Sequence, residues 1–427
     1  MTNMIYTAMP ALPKKHHTNA VVLPSEWNTC PLSSIVEEIS ETVGTRKIET
    51  ISISAGIGFV NQAEKFGREL SGKQYEKYIV LHKGDFSYNK GNSNIYPQGC
   101  IYRLNNRTEA AVPNVFESFR VSVGNPDYYE QLFLSGFLNR QLYSKINRGV
   151  RDNGLLNLKG KDFYSCEVPC PPLAEQERIA EILIQCDHVI ELKEQKLDEL
   201  KQLKKEFLQK MFPAKGCDTP EIRFPGFTGA WKQRKLGEIS SIKTGPFGTQ
   251  LSAKEYVESG VPVINVKNIG SNAIIAENLD YVSGETFLRL KEHILHNGDI
   301  VFGRKGALNR HAMIQKTQDG WIQGSDCIRV KLNVDDSNYL DAYLQVPNVL
   351  QHLSKIAYGS TMLTLTTDML YSVPVELPQL CEEKKIGDFF KILNNLITLH
   401  QRELEETKTY KKALAKLLLT GIVRVQG

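Results

Sequence analysis

Residues able to do chemistry are present in this chain, but not at the spacings that catalysis requires. Gly303-Arg304-Lys305-Gly306 has glycines and a cation, yet it is too short for a phosphate-cradling loop and lacks the closing Lys-Ser/Thr. Gly56-Ile57-Gly58 lacks the third glycine and the helix that a dinucleotide fingerprint needs, and reads as a turn. His293 and His296 have no third ligand nearby in sequence, so they read as surface histidines rather than a metal pair. Asp85 and Asp299 each follow a glycine, the position of a turn-forming carboxylate, although the same residues would serve a cryptic acidic nuclease site. Eight cysteines, none in a doubled Cys-x-x-Cys framework, argue against a zinc site or a disulfide scaffold. No Ser/His/Asp or Cys/His grouping emerges. Neither a metal site nor a catalytic residue is therefore expected.

A second group of residues suits nucleic acid. Cations, amides and hydroxyls share loops with glycine in both halves of the chain. The first half offers Lys90, Asn92 and Asn94, then Arg148 and Arg151. The second offers Lys243, Thr244 and Gln250, then Lys267 and Asn268, Arg304 and Lys305, and Asn309 and Arg310. Arginine and lysine neutralise phosphates, arginine, asparagine and glutamine read base edges through paired hydrogen bonds, and glycine admits the backbone close to a ligand. Any one of these loops alone is ordinary polar surface. Their recurrence on two stretches of chain is the signal.

What must position these loops is an internal repeat. Pro171-Pro172-Leu173-Ala174-Glu175-Gln176-Glu177-Arg178-Ile179 and Pro378-Gln379-Leu380-Cys381-Glu382-Glu383-Lys384-Lys385-Ile386 open two charged stretches at an offset of 386 − 179 = 207. One apolar row, Leu183, Ile190 and Leu197, then falls on Phe390, Ile397 and Leu404. A second, Ile179, Cys186, Leu200 and Phe207, falls on Ile386, Leu393, Thr407 and Leu414. Steps of seven predict two long helices with a coiled-coil-like seam. Prolines precede each start, acidic residues fill each first turn, and Pro213, Gly216 and Gly421 mark the stops. Polar interruptions also recur, Lys193 with His400 and Lys204 with Lys411.

Upstream the repeat is fainter. Trp27 matches Trp231, Lys83-Gly84-Asp85-Phe86 matches Asn297-Gly298-Asp299-Ile300, and Gly149 matches Gly359. Strand-like alternation covers 48–53, 78–81 and 119–123 in the first half and 261–266, 299–302 and 327–332 in the second, and 128–146 and 339–356 each read as one helix. The fold class is α+β: two mixed α/β domains separated by two long antiparallel helices, with a pseudo-two-fold repeat. Expected bounds are a flexible segment 1–22, a domain 23–170, a helix 171–216, a domain 217–377 and a helix 378–427.

The 427 residues fit two or three domains, and 41% hydrophobic with 23% charged residues excludes wholesale disorder and a membrane bundle. A net charge of +4 is too small to announce nucleic-acid binding unaided. Residues 1–20 have no apolar core of a signal peptide, no stretch is long and apolar enough to span a membrane, and the chain reads as cytoplasmic with reduced cysteines.

From Leu23 onward the sequence resembles the specificity subunit of Type I restriction-modification enzymes. The first proline-led helix carries the family's Pro-Pro-Leu-x-x-Gln-x-x-Ile start; the second has Glu383 where glutamine is usual. Trp231 to Gly237, Gly298-Asp299-Ile300 and Tyr358-Gly359-Ser360-Thr361 are similar to landmarks of its target recognition domains, which adds Ser360 and Thr361 to the DNA-facing candidates. The resemblance implies a non-catalytic subunit whose two domains each read half of a split, asymmetric site on double-stranded DNA. It implies docking of two adenine-N6 methyltransferase subunits, which use S-adenosylmethionine, and of restriction subunits that use ATP and Mg; this chain itself binds no cofactor. A 40-residue helix from Leu173 to Phe212 would run about 60 Å and act as a ruler between half-sites. The rival readings are a free-standing DNA-binding regulator, a metal-dependent nuclease and a coiled-coil scaffold.

Overall fold

The computed structural model describes residues 23–67, 72–91, 96–146, 156–270, 272–305, 310–356 and 364–425. The chain divides into two compact units, residues 1–191 with 405–427, and residues 192–404. Each unit keeps a stretch of both long helices, Leu173–Lys210 and Leu380–Leu419. The predicted segment 1–22 lies outside the described residues.

In the first unit Asn28–Pro31 pairs antiparallel with Glu167–Cys170, closing the domain at the foot of the long helix. Its main sheet is antiparallel, in the order Val36–Glu38, Glu117–Val121, Phe86–Asn89, Cys100–Arg103. The register sets Phe86 opposite Phe119, their rings stacked at 5.5 Å, over a core that also buries Tyr128, Phe133 and Phe163. Ile179 and Leu183 from one long helix and Leu418 and Leu419 from the other complete that core. The domain therefore folds onto its own piece of the helix pair.

The second unit repeats the scheme. Lys232–Lys235 pairs with Pro374–Leu377, and the main sheet runs Ser240–Thr244, Cys327–Leu332, Ile300–Gly303, His311–Met313. The position of Phe86 opposite Phe119 is taken by Ile300 opposite Val330. A further four-stranded sheet, Tyr256–Val257, Asp280–Val282, Val261–Ile264 and Ile322–Gln323, is built from the chain between Ser240–Thr244 and Ile300–Gly303 and from the segment just before Cys327–Leu332; its final pair is parallel. The first unit carries two separate two-stranded pieces instead, Ile51–Ser54 with Gly58–Asn61 and Ile79–His82 with Glu109–Val112. A common scaffold thus supports unlike additions.

Every residue predicted for the helix seam is buried or half-buried: Ile179, Leu183, Cys186, Ile190, Leu197, Leu200 and Phe207 on one helix, Ile386, Phe390, Leu393, Ile397, Leu404 and Leu414 on the other. Within the second unit Lys193 meets Glu403 at 2.9 Å and the Phe207 and Phe389 rings lie 5.0 Å apart, so the helices run antiparallel there. Within the first unit Asp187 meets Lys411 and Glu175 meets Arg424, again antiparallel.

Three expectations change. The helix predicted over 128–146 is two, Pro126–Leu134 and Asn139–Lys145, because Gly136 turns the chain through a left-handed φ of 74°. The one over 339–356 is Ser337–Tyr343 and Pro347–Ile356, because Pro347 cannot donate back and starts a new helix. The cysteines are not all free: Cys30 and Cys170, on paired strands with Cα atoms 6.5 Å apart, form a disulfide.

Candidate nucleic-acid interface

Strand register gathers the second unit's polar loops at one end of its main sheet. Thr244 lies opposite Ile328, Phe302 lies opposite the same residue, and Gly303 lies opposite Cys327. The chain therefore leaves the two strands that flank Cys327–Leu332 at the same end, as Gly245-Pro246-Phe247 and as Arg304-Lys305. Gly245 donates to the Cys327 carbonyl at 2.9 Å, and a Cβ on it would come 1.9 Å from the Gly324 carbonyl oxygen, so only glycine allows this approach. Arg304 donates its own N–H to Asp326 (2.9 Å) and spreads its guanidinium over the exposed Phe247 ring, 4.8 Å from the centroid. Its Nε has no hydrogen-bond partner among the described residues. A cation resting on an exposed aromatic face is held in place while its outer N–H groups stay available.

Around this pair stand Lys305, 3.5 Å from Asp326, Lys243, ion-paired to Glu292, the half-buried Thr244 and the exposed Gln250. In the first unit the matching strand end is Asn89-Lys90. The match is exact in the backbone: Leu156 donates to the Lys90 carbonyl at 2.8 Å as Leu365 donates to the Arg304 carbonyl at 2.8 Å. Lys90 Nζ is held by Glu117 at 2.7 Å, both side chains being largely buried.

Two sequence candidates have structural duties instead. Asn268 is fully buried; its Oδ1 accepts the Asn265 N–H and its Nδ2 donates to the Ile275 and Glu277 carbonyls. Arg310 donates from Nε to Ile269 and from Nη2 to Val266, both at 2.9 Å, tying the same loop to the sheet. The DNA-facing expectation for both residues gives way because an amide or a guanidinium in a polar loop looks the same in sequence whether it turns out or in. Lys267 is exposed and paired with Asp280 at 2.8 Å. Asn92, Asn94, Arg148, Arg151, Asn309, Ser360 and Thr361 lie outside the described residues.

The aspartates of the nuclease reading close turns. Asp85 is fully buried, accepts the His82 N–H at 2.8 Å and takes two bonds from Arg120, while Asp299 accepts the His296 N–H at 2.9 Å. Burial pushes the Asp299 carboxyl above the ordinary range. His293 is buried rather than on the surface. No group of three metal-ligating side chains occurs among the described residues, nor a helix long and apolar enough to cross a membrane.

Two copies of one scaffold, each closed on the same helix pair, have a counterpart among known proteins. Residues 24–202 and 229–409 match the family described as Type I restriction modification DNA specificity domain. The chain belongs to that family. Its role is DNA sequence recognition in a Type I restriction-modification system. Among relatives, the Type I restriction enzyme MjaVIII specificity subunit of Methanocaldococcus jannaschii is 27% identical over 298 residues, 66% of this chain and 68% of that protein. The EcoBI specificity subunit of Escherichia coli is 20% identical over 399 residues, 87% and 80% of the two chains. The fold is also that of the Type I S subunit from M. genitalium, at 15% identity and a TM-score of 0.58, over 94% of this chain and 98% of that one. A chain from a structure of type I R-M complex assembly and conformational transition gives 17% identity and a TM-score of 0.54, over 94% and 100%.

Sequence reading of this specificity chain missed Phe247, although Gly-Pro-Phe-Gly beside a cationic loop was a usable signal. It also missed two arginine–glutamate closures. Arg424 grips Glu175 through Nε at 2.7 Å and Nη2 at 2.9 Å, and Arg223 grips Glu382 through Nε at 2.7 Å and Nη2 at 2.8 Å. Each arginine follows one long helix and binds the buried glutamate at the start of the other. No local signal announces a pair so distant in sequence.

Proposed function

We propose that each domain reads one half of a bipartite, asymmetric DNA site, and that this chain does no chemistry itself. The observation that carries this reading is the pair of matched strand ends, Lys90 and Arg304, whose carbonyls each accept a leucine N–H, from Leu156 and Leu365, and each of which is followed by a different sequence. A shared frame supplies the phosphate-binding cation at a set height, and the unlike loops supply unlike base contacts. Arg304 on Phe247, with Thr244, Gln250 and Lys305 beside it, forms the second domain's contact surface. Lys90 is the first domain's contact, exchanging Glu117 for a phosphate when DNA arrives.

The long helices dock the partners in this reading. Apolar residues are exposed at repeat-equivalent positions, Leu173 with Leu380, Val189 with Leu396, Leu192 with Leu399, and Leu203 with Tyr410, each pair 207 apart. A soluble helix gains nothing from such residues unless something covers them, and their duplication suits two copies of one partner. Those partners are two adenine methyltransferase subunits that bring S-adenosylmethionine, joined by restriction subunits that bring ATP and Mg, all in the cytoplasm.

Single-molecule sequencing of methyladenine in cells with and without this chain tests the assignment. A bipartite motif is methylated only when the chain is present, and Arg304→Ala reduces its occupancy at least tenfold. A free-standing regulator would leave the methylation pattern unchanged on deletion, and that result would overturn the reading.

A further inference from the structure

Three lysines of the first long helix, Lys201, Lys204 and Lys205, recur in the second as Lys408, Lys411 and Lys412, again 207 apart. In the first unit the chain itself satisfies the middle lysine. Lys411 Nζ donates to Asp187 Oδ1 on the facing helix, and Asp187 Oδ2 accepts from Gln131 Nε2 at 2.9 Å. The repeat-equivalent of Asp187 is residue 187 + 207 = 394, an asparagine. Lys204 therefore lacks that carboxylate and donates to the neutral Gln345 Oε1, which Asn272 Nδ2 also approaches at 2.7 Å. Among the described residues no carboxylate forms an ion pair with Lys201 or Lys205 either.

The vacancy in this pattern coincides with a cavity of about 320 Å³ within the second unit. Lys201, Lys204 and Lys205 border it, His311 faces it, and Leu208, Leu350 and Ile397 form apolar wall. His311 is 1% exposed, and its Nε2 has no hydrogen-bond partner among the described residues. Behind it lies Asp341, whose Oδ1 is 3.5 Å from Nε2 and whose Oδ2 accepts from Gln345 at 3.3 Å. Burial holds Lys204 below the ordinary lysine range, with Asp341 pulling the other way. His311 Nε2 and Asp341 Oδ1, neither with a hydrogen bond among the described residues, face one another, which leaves the poorly solvated Lys204 ammonium, held only by a neutral amide, as the donor on this cavity that an anion completes. The apolar wall selects among anions, because a fully hydrated phosphate would lose its water against leucine and isoleucine, whereas a carboxylate on a hydrocarbon body would not.

We propose that this cavity accepts a carboxylate borne on an apolar carbon body and supplied from outside the chain, filling the role that Asp187 fills in the first unit. The group is either the acid of a small aliphatic molecule or an aspartate or glutamate side chain of a partner protein. Hexanoate is the probe. Calorimetric titration of the full-length wild-type chain with hexanoate shows saturable binding at millimolar concentration. Asn394→Asp, which restores the internal carboxylate, weakens it at least tenfold, as does Lys201→Gln with Lys205→Gln, while inorganic phosphate does not compete. Absence of hexanoate binding, unchanged affinity in both variants, or equal competition by phosphate overturns the proposal. Adding purified methyltransferase subunit separates the sources: displacement of hexanoate identifies a partner's side chain, and coexistence identifies a small acid. DNA binding is measured on the same samples. Hexanoate binding by a chain that recognises no bipartite DNA would sink the functional reading and leave this site standing.

Discussion

Gln176 and Glu383 hold the same place in the two halves, and the difference between amide and acid has a measurable consequence. Gln176 accepts the Asn125 N–H on Oε1 at 2.8 Å and donates from Nε2 to the Pro171 carbonyl at 2.8 Å. Glu383 accepts the Asp336 N–H on Oε2 at 3.1 Å. Asn125 and Asp336 in turn cap the helices that begin at Pro126 and Ser337, so each side chain holds a domain helix to the start of a long one. Burial pushes the Glu383 carboxyl up to about 7; the Asp336 N–H opposes this, and the carboxylates of Asp335 and Asp336 add to it. An unfolded glutamate ionises near 4.5. Between those two values the folded chain keeps a proton that the unfolded chain has released, so stability falls as pH rises. The contribution is complete below the lower value and lost as pH passes through the upper one. Glu383→Gln removes that dependence and supplies a donor for the Pro378 carbonyl. In urea unfolding the variant gains about 2 kcal/mol at pH 8 and little at pH 5. An equal gain at both pH values would show that ionisation of Glu383 is not what weakens the site.

The long helices were legible because a seven-residue apolar step, a proline start and a glycine stop agree over some forty positions. The shorter helices were legible as helical and not as broken, since periodicity runs on through Gly136 and up to Pro347 while the backbone does not. What closes the long helices was hidden. Glu175 lies 249 residues from Arg424, and Glu382 lies 159 from Arg223. The two closures differ in what remains when the arginine is removed. Glu175 also accepts from Trp27 Nε1 at 2.9 Å, and these bonds hold its carboxyl below the usual range against the upward push of burial. Glu382 is fully buried, and the matching indole, Trp231, makes no hydrogen bond among the described residues. Arg223→Ala leaves a buried carboxylate without its counter-ion and costs about 3 kcal/mol. Arg424→Ala costs less, because the tryptophan donor stays. Paired denaturation curves decide this; a smaller loss for Arg223→Ala than for Arg424→Ala would mean that the indole contributes nothing.

At the scale of the molecule, each unit owns its core, its sheet and its stretch of both helices, and this sets what an exchange of parts does. The core of the first unit draws Trp27, Phe119, Tyr128 and Phe163 from one domain and Ile179, Ala180, Ile182, Leu183 and the 414–419 segment from the helices. The core of the second unit uses Leu208, Phe212, Ile386 and Phe390 in the same way. The buried side chains of one core are absent from the other, so a domain can be replaced provided its helix-facing residues are kept. Those residues are few and identifiable: the tryptophan at 27, the helix-capping asparagine at 125 and the Tyr128-Tyr129 pair that packs toward the helix start. The target sequence, by contrast, was never legible, because it depends on how loop side chains turn. Asn268 and Arg310, which turn inward, show how residue type misleads there. Replacing residues 24–170 by the corresponding part of a relative that retains these contact residues changes one half of the methylated motif and leaves the other half intact, as read by methyladenine sequencing. Two independent cores make this the expected result. A motif altered in both halves, or in neither, would mean that recognition is not divided between the units along the line that divides their packing.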